Sequence, residues 1–198
     1  MNIIETKLKG VVMIETRRFG DARGYFTETF HSDRYLEAGI ERPFVQDNFS
    51  HSVKGVLRGL HYQIRNPQGK LVTVLAGEVF DVAIDLQIDS TTFGEWVGVN
   101  LSSENGRQLY VPPGFGHGFC VLSDTADFLY KCTDFYSPEY ERAVRWDDPD
   151  LGIDWPVSSP VISDKDAAAP RLKNAELFGL HRFAASECTA DQPVKTPN

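Results

Sequence analysis

Along most of this chain, apolar and polar residues alternate with the period of a β-strand, in short runs separated by turn residues. In GYFTETF (24–30), Tyr25, Thr27 and Thr29 fall on one side and Phe26, Glu28 and Phe30 on the other. GVVMIETRRF, just upstream, is short and β-branched, and FVQDNFSHS is again extended. KLVTVLAG and EVFDVAIDLQ meet at Ala76–Gly77, which reads as a tight turn. GEWVGVNLS, the turn SENG, RQLYVPPG, HGFCVLSD and TADFLYKCTDFY continue the series, with a further turn near Asp124. One segment breaks the pattern: SDRYLEAG (32–39) reads as a short helix, with Ser32 or Asp33 as its cap and Gly39 as its stop. Roughly eight to ten short strands at regular spacing predict an all-β antiparallel sandwich or barrel, of which the jelly roll is the usual closed form.

After Tyr136 the texture changes to Pro, Asp and Trp, as in SPEYERAVRWDDPDLGIDWPVSSPVISDKDAAAPRL. This stretch is expected to wrap the barrel as irregular loops with one or two helical turns, and KNAELFGLHRF as a terminal helix. Residues 1–180 read as one domain and 181–198 as a polar, flexible tail.

Composition narrows the functional classes. The chain has 198 residues, 41% of them apolar, with 13 Phe, 7 Tyr and 3 Trp, which is enough to build a core rather than a disordered chain. A net charge of −8 without any Lys/Arg run argues against nucleic-acid or membrane-surface partners. The three cysteines, Cys120, Cys132 and Cys188, match no zinc spacing and suit reduced thiols in a cytoplasmic protein. MNIIETKLKGVVMIE carries charges through its apolar positions, so no signal peptide is expected, and no apolar run is long enough to span a bilayer.

The hexapeptide RGLHYQ (58–63) places a cation, a histidine and an aromatic where a strand should alternate. Gly106, Pro112, Gly114 and His117 fit the second half of the metal-binding cupin signature position by position. The first half is broken, because Gln63 stands where the second histidine of His-x-His belongs and Lys70 follows where a carboxylate ligand is expected. Two histidines and a lysine make a poor metal site, so no metal and no cofactor are expected. A neutral imidazole, by contrast, can take a proton near physiological pH. As a base, His61 would need a carboxylate partner, for which Asp166 and Asp81 are both available. It would also need a cation where negative charge develops (Lys70) and an acid on the opposite face (Tyr130). A third group is cationic and amide-rich: Arg23, Glu28, Gln46, Asp47, Asn48 and Arg58. Arginine pairs with phosphate oxygens, Gln and Asn can read the edge of a nucleobase, and Phe26 and Tyr136 can stack on a ring.

DARGYFTETF, FVQDNFSHS, VLRGLHYQ, QGKLVTVLAGEVFDVAIDLQ, TFGEWVGVNLS, RQLYVPPGFGHGF, LSDTAD, DFLYKCTDFYSPEYE, WDDPDLGIDWP and SDKDAAAP together resemble the dTDP-4-dehydrorhamnose 3,5-epimerase family over about residues 1–178. The resemblance implies a metal-free cupin jelly roll and a homodimer whose N-terminal strands reach into the partner's nucleotide site. It implies inversion of carbons 3 and 5 of dTDP-4-dehydro-6-deoxy-D-glucose on the way to dTDP-L-rhamnose. A relative that inverts only one of these carbons, for antibiotic sugars, is the alternative. By position, His61 is the implied base, Asp166 its partner, Lys70 the cation at the enolate oxygen with Arg58 nearby, and Tyr130 the acid. Arg23, Glu28, Gln46, Asp47, Asn48, His117, Glu141 and Lys165 match substrate- or nucleotide-binding positions, and Tyr136 the aromatic that stacks on thymine. Phe135 stands where that family often has a tyrosine.

Overall fold

The computed structural model describes residues 1–179. The chain opens with β1 (Asn2–Glu5) and β2 (Val12–Glu15), a separate hairpin of β3 (Arg18–Asp21) and β4 (Gly24–Thr27), and helix α1 (Ser32–Glu37). The barrel strands follow: β5 (Gln46–Val53), β6 (Leu57–Gln63), β7 (Lys70–Ala76), β8 (Glu78–Asp85), β9 (Trp96–Ser102), β10 (Arg107–Val111), β11 (Phe115–Val121) and β12 (Thr125–Cys132). A short β13 (Glu141–Ala143) and helix α2 (Asp164–Ala167) complete the regular elements. One sheet runs β1-β2-β10-β7-β12-β5 and the other β13-β6-β11-β8-β9, and the two face each other as a jelly-roll sandwich, the expected fold class.

Alternation decides which residues fill it. Val72 and Val74 of β7, Leu109 of β10 and Phe128 of β12 point inward from the first sheet. They meet Val79 and Ala83 of β8, Leu101 of β9 and Phe119 of β11 from the second. Phe119 and Phe128 stack with centroids 4.1 Å apart and planes 16° from parallel. The intervening residues point outward and are covered in turn. Leu60, Tyr62, Val82 and Ile84 pack beneath the C-terminal wrap, and Ile14, Leu71 and Tyr110 pack with Tyr35 of α1.

Two expectations are corrected. GVVMIETRRF is two strands, not one, because Thr16 turns its hydroxyl to the Gly106 carbonyl and the chain leaves the sheet to form β3. KNAELFGLHRF is not a helix where it is described. After a 3-10 turn at Leu172–Asn174 the chain is extended, because the Phe178 backbone bonds to Leu86 and Ile88 while its ring is buried against Tyr62. The rest of that segment and the expected tail lie outside the described residues.

The irregular hexapeptide is a β-bulge. Against β11, His61 pairs with His117 and Arg58 with Phe119, so three steps along β6 match two along its partner. The extra residue brings Arg58 and His61, an odd number of positions apart, onto the same inward face. Gly59 makes this possible. Its φ is +124°, and a Cβ there would sit 2.6 Å from the Gly118 Cα and 2.7 Å from the His117 carbonyl oxygen. Gly59→Ala is expected to destabilise the fold by about 2 kcal/mol or more, the scale of an overpacked core. Denaturant unfolding would measure it, and an unchanged midpoint would contradict this reading of the bulge.

Candidate active site

A cleft opens between the two sheets as two lobes that share His61, Lys70 and Tyr130 in their walls. The lobe of about 290 Å³ is also lined by Gln46, Asn48, Gln63, Gln68, Tyr136 and Glu141. That of about 310 Å³ adds Arg58, His117, Phe119, Ser163, Lys165 and Asp166. The shared residues come from three strands on two sheets: His61 from β6 on one wall, Lys70 from β7 and Tyr130 from β12 on the other.

His61 Nε2 lies 2.5 Å from Asp166 Oδ1. Asp166 arrives from the wrapping segment, on the one-turn helix α2. Ser163 is the N-cap of that helix, its hydroxyl accepting from the Asp166 N–H at 3.1 Å. Burial by itself would raise the Asp166 carboxyl. The hydrogen bond and charge of His61 outweigh it, helped by the Ser163 hydroxyl and the Gly59 N–H, and hold the group below its usual range. An anionic carboxylate on one imidazole nitrogen fixes the tautomer and leaves the other nitrogen free to accept a proton.

Lys70 pairs in register with Cys132 of β12, and its Nζ is 6.0 Å from the Tyr130 ring centroid. Burial pushes the ammonium below its ordinary range, opposed by the fields of Cys132, Glu141 and Asp81. Burial also pushes the Tyr130 phenol up, with Cys132 and Glu141 adding to the rise and Arg58 opposing it. Tyr130 is therefore a phenol rather than a phenolate at neutral pH and has a proton to give.

Of the two carboxylates open to His61, Asp81 is taken by the other histidine. His117 Nε2 lies 3.0 Å from both oxygens of Asp81, a fully buried side chain on the neighbouring strand β8. Burial pushes the Asp81 carboxyl up, and the His117 contact works against it. Arg58 turns its guanidinium to the Ser52 hydroxyl at 3.1 and 3.2 Å and faces the same lobe. Among the described residues no three His, Cys, Asp or Glu side chains are grouped to hold a metal ion. Gln63, at the broken histidine position, spends its amide on the backbone of neighbouring loops.

The lobe of about 290 Å³, the outer one, gathers four of the remaining expected residues: Gln46, Asn48, Tyr136 and Glu141. Gln46 Nε2 donates to Asn48 Oδ1 at 3.0 Å, and the Tyr136 hydroxyl donates to Glu141 Oε2 at 2.6 Å. That bond, with burial and the Glu141 charge, pushes Tyr136 up to about 12. Lys165, from the wall of the other lobe, pairs with the same Oε2 of Glu141. Asp47 lies elsewhere: between two inward residues it points outward and pairs with Lys131 at 3.0 Å. Arg23, Phe26 and Glu28 do not line the cleft of this chain. Arg23 pairs with Asp21 on the β3–β4 hairpin, Phe26 is 69% exposed, and Glu28 pairs with Arg34. Sequence reasoning missed Ser163, Gln63 and Gln68 as site residues. Only Ser163 carried a local signal, a serine three positions before a carboxylate at a helix start.

Comparison with known proteins identifies a family. The sequence model of the dTDP-4-dehydrorhamnose 3,5-epimerase family matches residues 5–174. A dTDP-4-dehydrorhamnose 3,5-epimerase of Shigella flexneri is 53% identical over 180 residues, 90% of this chain and 99% of that one. A dTDP-4-dehydrorhamnose 3-epimerase of Streptomyces niveus is 42% identical over 176 residues, 87% of this chain and 84% of that one. The crystal structure of a dTDP-6-deoxy-D-glucose-3,5-epimerase from Legionella pneumophila, in complex with dTDP-4-keto-L-rhamnose, superposes with a TM-score of 0.85. It is 58% identical and covers 87% of this chain and 93% of that one. With that family model matched over residues 5–174 and relatives about half identical over nearly the whole chain, the chain belongs to the dTDP-4-dehydrorhamnose 3,5-epimerase family.

Proposed function

We propose that this enzyme inverts carbons 3 and 5 of dTDP-4-dehydro-6-deoxy-D-glucose to give dTDP-4-dehydro-L-rhamnose, a step towards dTDP-L-rhamnose. The observation that carries the reading is the placement of His61 and Tyr130 on opposite sheets across one cleft, with Lys70 between the two lobes. The ketone at carbon 4 acidifies the hydrogens on carbons 3 and 5. His61 takes one of these as a proton, and the electron pair moves onto the ketone oxygen as an enolate beside the Lys70 ammonium. Tyr130 then gives its phenolic proton to the opposite face of the same carbon. Each inversion leaves an imidazolium and a phenolate, which exchange with solvent before the next. The substrate supplies its own electron sink, so the balance needs no redox partner. The diphosphate and base, held away from the reacting carbons, provide binding energy for orientation.

The substrate's nucleotide end fits the outer lobe, where Tyr136 offers an open ring and Gln46 and Asn48 offer amides. The diphosphate lacks an arginine cluster there, and we assign that role to Arg23 from a second copy of the chain. Phe19, Tyr25 and Phe26 on the β3–β4 hairpin are 52%, 57% and 69% exposed, an apolar surface that suits burial in a dimer. The two described cysteines are free and buried, which fits a cytoplasmic enzyme.

Three experiments bear on this reading. Turnover in deuterated water, followed by NMR, is expected to place label at both carbons 3 and 5. Label at one carbon alone would assign the chain to the single-centre epimerases, the activity named for the Streptomyces relative. His61→Ala is expected to cut the exchange rate by about 10²–10⁴, the usual contribution of a general base. For the dimer, mixing His61→Ala protein with Arg23→Ala/Phe26→Ala protein, each poorly active alone, is expected to restore activity. One site of the mixed dimer then combines an intact His61 with an intact hairpin. No recovery after subunit exchange would rule out the shared site.

Lys70 gives a test on stability. Its ammonium is disfavoured by burial, so its folded pKa lies below the ordinary 10.5. Between those values the unfolded chain binds the extra proton, and the contribution of Lys70 to stability rises with pH. Lys70→Met is accordingly expected to raise Tm at neutral pH while lowering kcat, with its advantage in Tm shrinking as pH climbs towards 10.5. A variant less stable than the parent at pH 7 would contradict the buried-cation account.

A further inference from the structure

Gln63 breaks the metal-binding histidine pair, and the base mechanism makes no use of it. Its side chain is nonetheless buried and fully engaged. Nε2 donates to the carbonyls of Asn66 at 2.6 Å and Phe135 at 3.2 Å, and Oε1 accepts from the Ser137 N–H at 2.9 Å. Two other glutamines of the same lobe act on the same loop. Gln68 Nε2 donates to the Asp134 carbonyl at 2.8 Å, and Gln46 Oε1 accepts from the Tyr136 N–H at 2.9 Å. Two carbonyls and two N–H groups in succession, from Asp134 to Ser137, are thus held by glutamine side chains of the barrel rather than left to water.

We infer that Gln63, supported by Gln46 and Gln68, is a positioning residue for nucleotide recognition. The three amides turn an exposed loop into a fixed ledge that presents the Tyr136 ring. The ring is then held at both ends, its backbone by the glutamines and its hydroxyl by Glu141 at 2.6 Å. About half of its surface remains open to the cleft. A planar base meets a stacking surface whose ordering has been completed during folding, so little freedom is lost on binding. A glutamine suits this position because it supplies two donors and an acceptor without charge, and the loop presents both carbonyls and an N–H. This inference rests on the assignment of Tyr136 as the stacking aromatic.

The test measures dTDP affinity by calorimetry, alongside kcat and KM, for Gln63→Leu, Tyr136→Ala and the double variant. Gln63→Leu keeps the volume and removes all three bonds. It is expected to weaken dTDP binding and raise KM about tenfold, the scale of losing hydrogen bonds that order a binding loop. Because His61, Lys70 and Tyr130 are untouched, kcat at saturation should stay close to the parent's. Tyr136→Ala should weaken dTDP at least as much, and adding Gln63→Leu to it should change affinity little further, because Gln63 acts through the ring. Should Gln63→Leu fold poorly, Gln68→Leu, which loses one bond at a half-buried position, is expected to raise KM about threefold with kcat retained. Normal dTDP affinity in Gln63→Leu alongside weak binding in Tyr136→Ala would overturn the positioning role and leave the stacking assignment standing. Normal affinity in Tyr136→Ala would overturn both. A fall in kcat at unchanged KM would place Gln63 in the chemistry instead.

Discussion

The close approach of two glycines, Gly59 on β6 and Gly118 on β11, is the constraint on which one wall of the cleft depends. A Cβ on either residue would press into the other strand's backbone, so the strands can touch only where both side chains are missing. That contact accommodates the bulge, which gathers Arg58 and His61 on one face. The same Gly59 directs its N–H at the Asp166 carboxylate and so helps keep it anionic. A single backbone irregularity therefore sets the direction of His61 and assists Asp166. In a regular β6, the parity of the strand would send either Arg58 or His61 outward, under the C-terminal wrap with Leu60 and Tyr62.

The electrostatics of the cleft follow from burial. Asp81 is fully buried and Lys70 half-buried in the cleft wall, and each counters part of the other's desolvation. The two histidines carry one carboxylate each but differ in setting. The His61–Asp166 pair stands at the junction of both lobes, with the carboxylate on a short helix from the wrap. The His117–Asp81 pair is built into adjacent strands and nearly closed from solvent. His61 is partly open to solvent at that junction, and the rigid pair behind it gives one lobe a fixed polar wall.

Much of this was legible in the sequence because its signals are local. Alternation gave the strands, Ala76–Gly77 and SENG gave turns, and SDRYLEAG gave the helix, with boundaries shifted by a few residues. The residues facing one another across the barrel were legible only through family resemblance, since Lys70, Tyr130 and His61 meet through tertiary folding. Whether Asp81 or Asp166 served His61 could not be read from spacing, because that choice is made by register: Asp81 lies beside the strand that carries His117. Asp47 shows the opposite failure. It sits between two cleft residues in sequence, yet strand parity turns it to the outer face, where Lys131 takes it. The hold of Gln46, Gln63 and Gln68 on the loop after Thr133 left no trace, because their partners there are backbone groups, which any sequence supplies.

The proposed proton acceptor and proton donor ride on different sheets, and the strand ladders of neither sheet fix the gap between them. What fixes it is the filling of the sandwich. One alternation below His117 lies Phe119, one below Tyr130 lies Phe128, and these two rings are stacked face to face. The hydrophobic core of this protein is therefore also a gauge block. In the proposed mechanism its thickness sets the width of sugar ring that can be reached from both faces at once, and a repacking of these two phenylalanines would recalibrate that reach.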